Sequence, residues 1–153
     1  MIREIREIFT KQFKYNYEVL KINTEKLNDE DGLIQPQKGG NCLNWVIGHI
    51  IATRETILKL LNERSVWDKK TIALYERGSA PVPGTRNSKA LSLKKLLNDF
   101  ELSQKRLIAG LNRLNKDDKE LVEKIAMFSF HESYHAGQTG LLRRIIGKEG
   151  AIK

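Results

Sequence analysis

Apolar residues recur at three- and four-residue intervals in four separate stretches of this chain, and nowhere do they alternate for long enough to make a strand. Only a helix gathers such positions, because 3.6 residues per turn returns i, i+3, i+4 and i+7 to one face. Over residues 2–27 the stripe is Ile2, Ile5, Phe9, Phe13, Tyr17, Leu20 and Leu27. The second helix is expected to run to about Glu63, capped by Asn41 or Asn44, with Val46, His49, Ile50, Thr53, Ile57 and Leu60 on one side. Ser92 is the expected cap of the third, whose stripe runs from Leu93, Leu96, Leu97 and Phe100 to Leu107, Leu111 and Leu114. The last is expected from about Lys119 to Ile146, with Val122, Ile125, Phe128, Leu142 and Ile145 facing inward and Gly147 as its stop. Turn residues make 30–41 a loop, and Asn115 to Asp118 a polar link. Residues 64–90 are least regular: a short helical piece near Thr71–Tyr75 is followed by the breakers Gly78, Pro81, Pro83 and Gly84. So long a connection is expected to cross the bundle or rim a pocket. The reading is all-α, a four-helix bundle with a long loop between the second and third helices, in a single domain over 1–153.

The net charge is +8 in 153 residues. The basic excess is spread over the second and third parts of the chain, and many cations have acidic neighbours at helical spacing, such as Glu7 with Lys11 and Glu120 with Lys124. Nucleic-acid binding needs basic residues gathered on one face, so nucleic acid is an unlikely partner on this pattern. No apolar run approaches the ~20 residues that span a bilayer. The charged N-terminus has no apolar core of the signal-peptide kind, and a cytoplasmic location without membrane attachment is expected. One cysteine, Cys42, excludes an internal disulfide and a cysteine-based zinc cluster.

The chain has three histidines, His49, His131 and His135. His131 and His135 are four apart on a predicted helix, so they stack on one face. His49 lies on the inward stripe of the second helix, and packed helices ~8–10 Å apart bring it within reach of an ion shared with the other two. A lone histidine on an apolar face is more often a hydrogen-bonded core residue; the case for a metal rests on the three together. Three imidazoles would leave positions open for water or substrate, as catalytic sites do. Imidazole suits zinc, nickel, iron and copper alike. His131-Glu132-Ser133-Tyr134-His135 is also a literal H-E-x-x-H string, the zinc-peptidase motif, in which Glu132 would be the base. A third ligand of the peptidase kind is missing downstream, where Leu141 stands six residues after His135.

Asn44-Trp45-Val46-Ile47-Gly48-His49, together with His131 to Gln138 and the following Leu141-Leu142-Arg143-Arg144 and Gly147-Lys148, resembles the DinB-like (DinB/YfiT) superfamily. Tyr75-Glu76-Arg77-Gly78-Ser79 resembles a further segment common in it. The resemblance implies a four-helix bundle, often a homodimer, with a divalent metal (zinc, nickel, iron or manganese) on His49, His131 and His135. Relatives include transferases and isomerases that use low-molecular-weight thiols, and others described as hydrolases. The short link between the third and fourth helices departs from relatives with a longer insert there.

The function expected from this reading is metal-dependent chemistry on a small-molecule substrate, either thiol transfer or hydrolysis. A non-catalytic metal-binding sensor or interaction bundle is the alternative, and an H-E-x-x-H peptidase a more distant one. Glu132 is the candidate general base or a ligand-orienting carboxylate. Gln138 and Thr53 are placed to bond the outer ring nitrogens of His135 and His49. Trp45 is either pocket wall or core, Cys42 either a helix-end thiol or a small buried residue, and Arg143 and Arg144 either solvated or facing an anionic cofactor or a second subunit.

Overall fold

The structure, a computed structural model, describes residues 2–79, 89–115 and 118–152. The breakers Pro81, Pro83 and Gly84, part of the Asn115–Asp118 link and Lys153 lie outside the described residues. Among the described residues six helices form: α1 (Ile2–Thr24), α2 (Asp29–Gly32), α3 (Leu43–Leu60), α4 (Lys69–Ala73), α5 (Leu93–Asn112) and α6 (Lys119–Ile145). Among the described residues there is no strand, and no helix is long and apolar enough to cross a membrane. Of the four long helices, α1 packs on α6 and α5, and α3 packs on α5 and α6.

The ends follow local chemistry. The Ser92 hydroxyl accepts from Lys95 N–H to cap α5, as its sequence predicts. Asp118 caps α6, and Gly147 takes up a φ of +88° just past its end. Two expectations fail at α3. Its N-cap is Cys42, without a side-chain bond. Asn44 lies inside the helix, where its amide donates to the Leu91 carbonyl and accepts from the Tyr75 hydroxyl. The far end comes at Leu60, earlier than Glu63, because Asn62 takes a left-handed φ of 55°. The 30–41 loop also begins on a helical turn. Asn28 and Asp31 bond each other's backbone N–H in a capping box that starts α2.

Every residue from Leu43 to Ala52 is buried, so α3 is the central helix, covered by its neighbours and by the 66–79 segment. The apolar core divides into two clusters along the helices. Leu20, Ile47, Ile51, Leu96, Phe100 and Leu142 belong to one, and Phe13, Ile57, Leu58, Leu107, Leu111 and Ile125 to the other. Between them lies a buried polar layer. Arg54, wholly buried, donates through Nε and Nη2 to both oxygens of Glu132, at 2.7 and 2.8 Å. It also donates to Ser103 Oγ, Gln104 Oε1 and the Phe100 carbonyl, and its guanidinium lies 4.0 Å from the centre of the Phe100 ring. Gln104 in turn donates to the Phe13 carbonyl, so one network joins all four long helices. The last helix departs from expectation at Ile145, which is 43% exposed rather than inward.

Candidate metal centre and its pocket

The polar layer sets the register of α3 against α6, and one turn towards the first cluster that register brings the histidines together. His131 Nε2 stands 3.3 Å from His49 Nε2 and 3.2 Å from His135 Nε2. One ligand atom from each of the three lies within 4.8 Å of the others, a group that can hold a metal ion. The outer nitrogens explain why the inner ones converge. His49 Nδ1–H donates to the Tyr75 carbonyl at 2.8 Å, which leaves Nε2 with a bare lone pair. His135 Nδ1–H donates to Gln138 Oε1 at 2.8 Å, and Gln138 Nε2 donates to the Tyr134 hydroxyl. Gln138 thus takes its expected place; the Tyr75 carbonyl, not Thr53, serves His49. His131 Nδ1 is buried and has no hydrogen-bond partner among the described residues.

The donor set fits a cation. The Nε2 lone pairs of His49 and His135 both face His131 Nε2, at 3.3 and 3.2 Å; a single N–H on His131 satisfies one of them fully, whereas a cation among the three satisfies all. Three nitrogens ~2.0 Å from one ion at tetrahedral angles stand ~3.3 Å apart, close to the two separations from His131. All three imidazoles are also kept neutral, as coordination requires. Burial lowers the pKa of His49 and of His131, with the positive charge of Arg77 adding to the effect on each. Burial brings His135 down to about 4, although its bond to Gln138 opposes the shift.

The cluster opens on a pocket of about 610 Å³. Its apolar wall includes Trp45, Val46, Leu141, Leu142 and Ile145. The Trp45 ring stacks on His49 at 4.6 Å between centroids and 10° between planes, and its Nε1–H donates to Ser79 Oγ. Trp45 is therefore pocket wall and core at once. A second opening of about 410 Å³ reaches His49 and His131 from the side of Thr53, Met127 and Phe128.

The remaining sequence candidates are placed elsewhere. Glu132 is buried, gives both oxygens to Arg54, and does not line the pocket. Cys42 is a buried free thiol whose pKa burial pushes up, so it stays protonated. Arg143 is half-buried: it donates to the carbonyls of Asn23, Glu25 and Glu149 and ties the end of α1 to the tail. Arg144 is exposed. Sequence reasoning missed Arg54 and Tyr75. Arg54 had a signal, a lone arginine on the apolar stripe between Ile50 and Ile57. Tyr75 acts on His49 through its main chain, which side-chain identity does not announce.

Comparison with protein families matches residues 12–139 to a family model described as the DinB superfamily. A search of curated proteins found no match.

Proposed function

Because the chain belongs to the DinB superfamily and its three histidines converge beside a pocket, we propose that it is a metal-dependent enzyme of the four-helix-bundle DinB type that transfers a low-molecular-weight thiol to a small electrophile. The observation that carries this reading is the meeting of three Nε2 atoms, two of them fixed as lone-pair donors, at the floor of a 610 Å³ pocket. A divalent ion there (zinc, nickel, iron or manganese) supplies Lewis acidity, which makes a thiol or a water molecule nucleophilic near neutral pH.

The chain's own residues favour the thiol. No Asp or Glu is among the described residues lining the 610 Å³ pocket, so a water on that side has no carboxylate beside it to take its proton; Glu76, exposed, lines the second opening instead. A thiol, with an ordinary pKa of ~8.5, needs far less help to ionise. Apolar side chains line one wall, and Tyr75 and Gln138 hold the ring tautomers. The peptidase reading loses support at two points. Glu132, which would be its base, is occupied by Arg54, and among the described residues no strand is available to hold an extended peptide.

A homodimer is part of the proposal. Met127, Phe130, Tyr134, Leu141 and Ile145 make an exposed stripe of large apolar side chains at helical spacing on α6, a surface that association of two copies would cover.

The test is metal analysis of the purified protein coupled to a transfer assay with several low-molecular-weight thiols and a small electrophile. Thiol-dependent, metal-dependent turnover is expected. Metal without turnover supports the sensor or interaction bundle instead, and turnover of an ester or amide without thiol supports a hydrolase.

A further inference from the structure

The pocket has an unbalanced charge. Imidazoles are neutral ligands, so an ion held by three of them keeps its positive charge. The nearest carboxylate in sequence, Glu132, is neutralised by Arg54. Among the described residues lining the 610 Å³ pocket, Arg77 is the one formally charged side chain; it lines the second opening as well, where the exposed Glu76 is also a lining residue. Its guanidinium has no hydrogen bond or ion pair among the described residues, and its charge reaches both His49 and His131.

Arg77 is exposed, yet its backbone is held on both sides. The ring of Tyr75 packs flat against Gly48, where any Cβ would overlap it. The Tyr75 hydroxyl donates to Asn44 and accepts from Leu91 N–H at 2.8 Å. Two residues after Arg77, Ser79 accepts from Trp45 at 2.9 Å. Both anchors are on α3, the helix that carries His49, so the backbone of Arg77 is tied to the helix of one of the three histidines.

We propose that this pocket takes a small organic carboxylate and that Arg77 selects it. The guanidinium fork would pair with the carboxylate while Trp45, Leu141 and Ile145 cover the apolar body. Among the described residues lining the pocket Arg77 offers one planar guanidinium fork, and one such fork matches the two oxygens of one carboxylate. The inference rests on the reading of the pocket as the substrate site.

Benzoate and its neutral isostere benzamide, titrated into the full chain in metal-free and zinc-loaded forms with tryptophan fluorescence as readout, test it. Benzoate is expected to bind roughly tenfold tighter than benzamide in both forms. In metal-free R77Q, benzoate should fall to the level of benzamide, with benzamide binding unchanged, and R77K should keep part of the preference. Equal binding of the two probes, failure of both to saturate in the millimolar range, or a preference that survives R77Q in the metal-free form would overturn the proposal. Zinc content, measured on the same samples, reads the metal proposal separately: an anion preference without bound zinc contradicts that reading and upholds this one.

Discussion

Each imidazole at the centre is oriented from its outer nitrogen, so the centre depends on residues that would never touch an ion. Gln138 accepts from His135 Nδ1–H. Gln138→Ala should weaken zinc binding by roughly 10-fold or more, as loss of such outer partners does, with little change in stability; competition against a chelator measures it. Thr53→Val should leave zinc binding unchanged, since Tyr75 holds His49. The pKa shifts fix a second expectation. With His135 at about 4 in the fold and ~6.5 when unfolded, the unfolded chain binds more protons between those values. Stability of the metal-free protein should therefore be full above about pH 6.5 and fall progressively towards pH 4. The directions for His49 and His131 act in the same sense. Urea midpoints across that range, with and without His135→Ala, measure the effect.

At the scale of elements, α3 and α6 are held in register by the buried pair Arg54–Glu132, one residue from His131. Arg54→Met leaves the carboxylate buried and unpaired and should cost about 3–5 kcal/mol. Arg54→Met combined with Glu132→Leu should recover most of that, because an apolar replacement of both partners is often neutral; urea denaturation decides. Gly48→Ala should push the Tyr75 ring off α3 and, through the Tyr75 carbonyl, loosen His49. Its zinc affinity should fall even where the helix content is kept. These elements were unevenly legible in the sequence. The long helices were read from their stripes, and Ser92 and Gly147 from cap chemistry, because each signal is local. The start of α3 was misread because both asparagines near it are capping types, yet Asn44 is used across the chain by Leu91 and Tyr75. Ile145 was placed inward because α6 carries apolar residues on two sides, and periodicity alone does not say which side is covered.

For the whole molecule, the packing of four long helices places His49 of α3 against the His131–His135 face of α6. This convergence was legible because the i, i+4 pair and a third histidine on an inward stripe leave few ways to pack. The network around Arg54 was not, since it needs groups from all four long helices at once. The +8 charge is dispersed along the chain and says little about partners; the local charge of Arg77, the one charged side chain among the described residues lining the 610 Å³ pocket, says more. If two copies meet through α6, Phe130→Glu should convert a dimer to a monomer in light scattering, with the metal content of each chain unchanged. The central claim is the three-histidine centre. Elemental analysis of the purified chain, of His49→Ala and of His135→Ala tests it most directly. About one divalent ion per chain in the parent and loss of that ion in both variants is the predicted result; folded variants that keep the parent's metal content would contradict it.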